Sequence, residues 1–402
     1  MPAQLRRSIG LPLLTLYGLG TILGAGIYVL IGEVVALAGT AAPSAFVLAA
    51  LLAGVTAFSF AELGSRIPRS SGEAAYVAAA FGRPQLAAAV GWAVVAVGTV
   101  SAATLIRGFV GYLAVFFDLP DSLVVIICVT GVAAIAIWGI GESVLAAAAV
   151  TVLEIGGLLF VCFVARDALG NFSEAWPTML PGLESTRVFG VASGAFIAFY
   201  AFIGFEDMVN VAEEVTSPRR NLPIAIVLAL CISTTLYMLV AVIATLALPL
   251  DELAGNSAPL AAVIASRGFA PETIAGISLF AVMNGALIQV VMASRVLYGL
   301  ARDGLAPAPL ARVHPRRQTP VVSTLLCAGM LLVLSLFFAL GELARVTSFI
   351  ALMIFALVNA ALLRLKSDEQ AKPEFSVPKI VPRAGLVACL AMLVYESVSK
   401  FA

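Results

Sequence analysis

Charge is scarce in this chain. Only 11% of its 402 residues are Asp, Glu, Lys or Arg, against roughly 25% in a soluble domain. The 23 basic and 23 acidic residues cancel, so nothing in the charge balance points to a nucleic-acid partner. Histidine is nearly missing. The single one, His314, lies in a basic stretch between Arg312 and Arg316 and reads as a surface residue, not a base or ligand. Cysteine is sparse: Cys128, Cys162, Cys231, Cys327 and Cys389 stand singly in apolar stretches, as small core residues and not as disulfides or metal ligands. There is no phosphate-binding glycine loop followed by lysine, no metal-spaced His/Cys set and no nucleophile with a partner base. Transport powered by ATP within this chain is therefore unsupported, and no catalytic residue, metal or cofactor is assigned.

What is abundant is apolar sequence, at 61% of the residues. That excess is a statement about solvent, and it predicts an all-α integral membrane protein with most of the chain in a bilayer. A spanning helix needs about 20 mainly apolar residues. Eleven stretches qualify: 11–37, 43–66, 85–116, 121–140, 143–165, 188–213, 221–249, 274–302, 320–340, 343–363 and 384–400. The first apolar run follows Arg6 and Arg7 and extends to about Ile31, too long for a cleaved signal peptide. With the N-terminus in the cytoplasm, sixteen Lys and Arg fall in inside segments and five in outside ones, a strong positive-inside bias. No linker divides the chain, so residues 1–402 read as one transmembrane domain. The outside segment 250–273 reads as a short helix over the entrance.

Two of these stretches are interrupted. One reads Gly20-Thr21-Ile22-Leu23-Gly24-Ala25-Gly26-Ile27-Tyr28 and the other Tyr200-Ala201-Phe202-Ile203-Gly204-Phe205-Glu206-Asp207. An opened helix exposes N–H groups on one side and C=O groups on the other, which lipid tolerates only where they line a cavity or are buried in protein. Corresponding breaks in two halves of a membrane protein point to a transporter's binding site. In the first break the glycines allow unwinding and close approach, although Gly20-x-x-x-Gly24 is equally a packing seam. Free N–H groups of Ala25, Gly26 and Ile27 suit a carboxylate, because a half-helix N-terminus attracts anions. In the second break, carbonyls near Tyr200, Phe202 and Ile203 suit an ammonium, and Tyr200, Phe202 and Phe205 are placed to close over a ligand. The alternation of inside and outside brings Gly26 and Gly204 together near mid-membrane as inverted partners.

Intramembrane acids are costly and usually functional. Glu206 has two readings: direct contact with a ligand or coupling ion, or tying helix ends together by accepting backbone N–H bonds. Asp207 reads as facing another polar helix. Glu154, midway along the fifth span, is a candidate proton or cation site, since a carboxyl in low dielectric favours its neutral form and a change of access can release the proton. Its bland alternative is a neutral, hydrogen-bonded acid. Asn284 and Gln289 are amides in the eighth span, Asn284 a candidate for the coupling ion or proton and Gln289 for the substrate. Five residues apart, they share no helical stripe, so at most one points at the centre. Arg107 and Arg295 read as snorkelling or pairing near helix ends.

Several of these residues form a recognisable series. Gly24-Ala25-Gly26-Ile27-Tyr28 resembles the first-span signature of the amino acid–polyamine–organocation superfamily, and Phe202-Ile203-Gly204-Phe205-Glu206 resembles its sixth-span break. Ala212-Glu213-Glu214-Val215 with Pro218-Arg219-Arg220-Asn221-Leu222-Pro223 is similar to the stretch leading into its seventh span. Ser294-Arg295-Val296-Leu297-Tyr298 with Ala301-Arg302-Asp303-Gly304, and then Thr319-Pro320, are similar to the end of its eighth span and the start of its ninth. The resemblance implies a LeuT-type fold with helices 1 and 6 discontinuous. Two inverted five-helix repeats, 8–166 and 188–364, are followed by an additional helix at 384–400. It implies alternating access around a central amino-acid site. The carboxylate lies on the N–H groups of Ala25, Gly26 and Ile27, and the amine on carbonyls at Ile22, Tyr200 and Ile203. Tyr200 matches a gating aromatic of the arginine–agmatine exchangers, and Gln289 falls where those exchangers place another aromatic.

Two departures stand out. Bacterial members related to the cationic amino acid transporters carry a lysine twelve residues after the glutamate of a K-E-S stretch. Here Glu142-Ser143 is followed at that spacing by Glu154, which reverses the charge. Most relatives have twelve spans, and eleven are read here. The expected function is therefore secondary active transport of small neutral or cationic amino acids, by proton-coupled symport or exchange, in the cytoplasmic membrane. The partners are a free amino acid, a proton or other coupling ion and the lipid bilayer, with oligomeric state open. A polyamine or organocation carrier and a non-transporting amino-acid sensor on the same fold are the alternatives. A channel would need a polar stripe along several helices, and an intramembrane enzyme a convergent catalytic pair; neither is found.

Overall fold

The computed structural model describes residues 7–23, 26–68, 72–138, 144–182, 184–367 and 374–399. Apart from an isolated bridge between Ile9 and Val215, the regular structure among them is helical. In chain order the helices are α1 Leu11–Leu23, α2 Gly26–Ala38, α3 Ala42–Arg66, α4 Gly72–Phe81, α5 Pro84–Leu113, α6 Asp121–Trp138, α7 Val144–Val164, α8 Phe172–Met179 and α9 Ser185–Tyr200. They continue with α10 Pro218–Ala247, α11 Leu250–Leu253, α12 Pro259–Ala265, α13 Pro271–Arg302, α14 Val321–Phe337, α15 Leu340–Leu365 and α16 Ile380–Ser399.

All eleven expected spans are helical over most of their length. Among the described residues, eight helical runs are long and apolar enough to cross a membrane, or nine if the bent pair Ala148–Val164 and Arg166–Met179 is one span. The run Leu11–Arg66 contains the first two expected spans, and α14 is apolar but has only 17 residues, the lower end of the spanning range of about 17–25. The protein is an all-α, multi-pass membrane protein.

Its surface confirms the solvent. Leu51, Phe163, Phe280 and Phe337 point outward and are each more than half exposed. In water such a coat would be an aggregation liability, whereas lipid tails are as apolar as the side chains. Inside this coat α1 packs on α7 and α10, α3 on α9 and α10, and α5 on α13. The two interrupted helices thus run through the middle. Four of the five cysteines are buried as expected, but Cys231 is exposed on the outer face of α10. His314 sits in its loop, its Nδ1 accepting the amides of Arg316 and Arg317.

The segment 250–273 holds two short helices, α11 and α12, and it is pinned in place. The amide of Gly255 donates to the carbonyl of Gly32 at 3.1 Å, and α12 is buried against α2, α7 and α13. At the opposite end Glu62, fully buried at the end of α3, is the acceptor of a clasp. Arg66, the Lys366 ammonium at 2.7 Å and the Val377 amide at 2.8 Å all converge on it. The clasp joins the ends of α3 and α15 to the segment entering α16.

Candidate functional site: the crossing of two interrupted helices

The second interruption is visible in full. α9 ends at Tyr200, the chain turns through Ala201–Gly204, and Phe205–Glu214 continues as a 3-10 helix. A 3-10 run of this length is unusual and marks a hinge or strain. The break is possible because Gly204 adopts φ +128°, a conformation open to glycine and strained for other residues. The first expected interruption falls at Gly24 and Ala25, which lie outside the described residues, so neither an opening there nor Ala25, expected to offer an N–H group, is placed.

The residues flanking Gly24 and Ala25 interlock with the second break. A Cβ on Gly26 would collide with the backbone and side chain of Ala201, and a Cβ on Gly204 would collide with the carbonyl of Thr21. Each glycine therefore lets one broken helix touch the backbone of the other. The hydroxyl of Thr21 seals the contact, lying 2.9 Å from the carbonyls of Gly18 and Gly204. Gly26 and Ile27 are buried at the start of the described part of α2.

Tyrosines hold this crossing, and sequence reasoning passed over three of them. The Tyr237 hydroxyl on α10 lies 2.7 Å from the carbonyl of Ile22 and 2.9 Å from that of Ala201. It carries one proton, so it serves one carbonyl at a time. The Tyr28 hydroxyl donates to the backbone carbonyl of Glu154, and the Tyr112 hydroxyl to the carbonyl of Tyr28. The available signal was a tyrosine inside an apolar span, whose hydroxyl must find a partner when buried. Tyr200 is tied to α5 through the carbonyl and hydroxyl of Ser101, both at 3.0 Å.

The expected aromatic lid divides. Phe202 packs edge-on to Tyr237 at 5.1 Å, beside the crossing. Phe205 points into an aromatic core with Phe60 and Phe355. Ile203 is buried and its amide bonds the Tyr200 carbonyl at 3.1 Å. That leaves both amine-binding carbonyls named first, Ile22 and Tyr200, with a donor already in reach.

The acids separate into two groups. Glu154 is completely buried on α7, and neither carboxyl oxygen has a hydrogen-bond partner among the described residues. Glu206 accepts the amide of Gly204 at 2.8 Å, so it makes the helix-tying bond that was one of its two readings. Asp207 meets a polar helix as expected: Gln289 of α13 donates to it at 3.3 Å, while the other amide atom of Gln289 is buried without a partner. Asn284 is only half-buried, so Gln289 is the amide that faces the acids. Arg107 pairs with Asp121 at 3.3 Å, and Arg295 is exposed.

A further acid joins the second group from a place the sequence reading did not single out. Glu73 lies in the first turn of α4, between the second and third spans, and is buried. It lines a cavity of about 20 Å³ with Glu206, Asp207, Gln289 and Met292, room for a single water-sized occupant. Burial pushes the Glu73 carboxyl up to about 7. The hint in the sequence was an acid amid Ala, Tyr and Val in a short apolar helix. Without the tertiary packing, that pattern reads as an acid complementing the helix dipole.

Known proteins share this chain's pattern from end to end. A family model described as amino acid permease matches residues 9–399. The branched-chain amino acid permease BcaP of Bacillus subtilis is 30% identical, over 97% of this chain and 88% of that protein. Cationic amino acid transporter 2, vacuolar, of Arabidopsis thaliana is 34% identical over 92% of this chain, which spans 62% of the plant protein's length. The methylthioribose transporter of Bacillus subtilis is 28% identical over 94% of this chain and 86% of its own. All three are named as permeases or transporters, and with the apolar helices and the matched residues they settle the family. The chain belongs to the amino acid permease family.

Proposed function

We propose that the protein is a secondary active amino acid transporter of the cytoplasmic membrane, working by alternating access with its N-terminus inside. The observation that carries this reading is the interlocked crossing of Gly26 and Gly204. With the first span open at Gly24 and Ala25, it would bring a helix N-terminus and the carbonyls of the second break to one point, which suits the two charges of a zwitterion. The carboxylate sits on the N–H groups at Ala25, Gly26 and Ile27, and the amine on carbonyls at Ile22, Tyr200 and Ile203. The repeats are residues 8–166 and 188–364, with 384–400 added after them.

Tyr237 supplies a device for the amine. When an ammonium takes the Ile22 carbonyl, the Tyr237 proton passes wholly to Ala201, its alternative partner at 2.9 Å, so neither carbonyl is left unpaired. The substrates are small neutral or cationic amino acids, in keeping with relatives named for branched-chain and for cationic amino acids. Coupling runs through a proton on Glu154, whose buried carboxyl has no competing hydrogen bond among the described residues.

Uptake of labelled amino acids into proteoliposomes, with and without a proton gradient, tests this. Saturable uptake is expected, and its absence across the common amino acids refutes the reading. Esterifying the substrate carboxyl is expected to abolish competition, which a polyamine carrier would not require. In Glu154→Gln, gradient-driven uptake should fall about tenfold or more and lose its pH dependence, a general acid–base loss in kind if not in chemistry. Full retention of the pH profile removes Glu154 from the coupling step.

A further inference from the structure

The stretch Pro218-Arg219-Arg220 takes no part in the crossing, yet the fold gives it a distinct setting. Arg219 and Arg220 open α10, and with Arg7, Pro68, Ser217, Pro218 and Glu374 they line a groove of about 550 Å³. All three arginines are exposed, and none forms an ion pair with a described residue. Glu374 is the single carboxylate lining the groove among the described residues, so positive charge dominates it. Gathering three like charges is unfavourable unless an anion joins them.

The groove's geometry also favours an anion. It opens on the N-terminus of a 30-residue helix, where the dipole is positive. The Ser217 hydroxyl makes no capping bond, and the Ser65 hydroxyl meets the first turn at the Arg219 carbonyl, at 2.9 Å, not at an amide. Arg7 is held beside this turn because the amides of Ser8 and Ile9 donate to the carbonyl of Glu214 at 2.9 and 3.0 Å, and the Thr216 amide returns a bond to Ile9. An anion in the groove would therefore bridge the segment entering α1 to the start of α10. One segment enters α1, and the other leaves the 3-10 run Phe205–Glu214 that follows the second break.

We propose that this groove is a phosphate site at the cytoplasmic face. It takes the phosphate of an anionic phospholipid, or a free phosphate ion, and clamps the segment entering α1 to the one leaving Phe205–Glu214. Basic pockets at the cytoplasmic ends of membrane helices have the chemistry and depth for such headgroups, and arginine's planar fork matches phosphate oxygens in pairs. The cytoplasmic placement rests on the orientation proposed above, but the phosphate chemistry does not depend on transport.

Native mass spectrometry of the purified full chain with equal phosphatidylglycerol and phosphatidylcholine tests the lipid source. Preferential retention of phosphatidylglycerol is expected. It should weaken roughly fivefold per arginine removed, hence strongly in the Arg219→Gln/Arg220→Gln double variant and to an intermediate extent in the Arg219→Lys/Arg220→Lys one, which keeps the charge and loses the fork. Neutralising Arg312 and Arg316, elsewhere on the same face, should leave it unchanged. Equal retention of the two lipids, equal retention by wild type and the glutamine variant, or an equal loss on neutralising Arg312 and Arg316 overturns the lipid assignment. A thermal shift with inorganic phosphate in neutral-lipid nanodiscs, seen in wild type and lost in the glutamine variant, identifies free phosphate instead. If neither phosphatidylglycerol nor phosphate distinguishes the variant, the site is refuted. Because these measurements read binding, they remain decisive even if amino acid uptake is never observed, and a failure here leaves the transport reading standing.

Discussion

At the scale of single residues, the crossing depends on missing side chains as much as on those present. Gly204 combines φ +128° with a backbone neighbour, Thr21, in the space of its absent Cβ. Either feature alone costs about 1–3 kcal/mol when a side chain is added. Gly204→Ala is accordingly expected to lose at least about 2 kcal/mol, seen as a lowered midpoint in thermal unfolding followed by size-exclusion fluorescence. A midpoint within error of wild type would mean that the break relaxes without this contact. Glu206 illustrates the opposite case, a side chain whose cost is offset locally. Its carboxylate takes the Gly204 amide freed by the break, so its placement follows from the unwinding of its own helix.

At the scale of elements, the 3-10 segment Phe205–Glu214 and helix α4 meet around the small acid-lined cavity. α4 is short and lies between spans, but its first turn carries Glu73 into that cavity. The sign of its pH effect follows from burial. The carboxyl is raised from 4.5 to about 7 in the folded protein, so folding favours its neutral form. Its contribution to stability is fully present below about 4.5 and is lost as pH rises through about 7, a loss of at most about 3 kcal/mol. The thermal stability of the wild type should therefore fall between pH 5 and pH 8. Glu73→Gln should flatten that slope and gain stability at pH 8. An unchanged slope in Glu73→Gln would place the pH sensitivity elsewhere.

At the scale of the whole molecule, the bundle is closed at one end by a charged clasp and at the other by the packed segment around α12. Glu62 is fully buried and holds Arg66 and Lys366, whose side chains are each 7% exposed. Removing one partner of a buried charge pair costs about 3–5 kcal/mol, because the other charge remains. Glu62→Gln should therefore destabilise the folded protein by that order, with the Lys366→Met/Glu62→Met pair recovering part of it. A double variant no more stable than Glu62→Gln would show that the clasp acts through something other than charge. Elsewhere the bundle offers lipid an apolar coat, and the least buried spanning helix is α16.

The amino-acid sequence by itself determined the solvent, the helices and the place of the break at Gly204. Each is a local matter: apolar residues in runs of membrane length admit only self-satisfied backbone, and glycines and acids inside such runs mark where the helix opens. The family followed from the same local patterns. The tertiary structure decided the partners. That Gly26 meets Ala201 and Gly204 meets Thr21, that Tyr237 shares its proton between both breaks, and that Glu73 arrives beside Glu206 and Asp207 from another element are contacts between residues far apart in the chain. Periodicity places a residue on a face of its own helix, but which other helix lies against that face depends on the packing of the whole bundle.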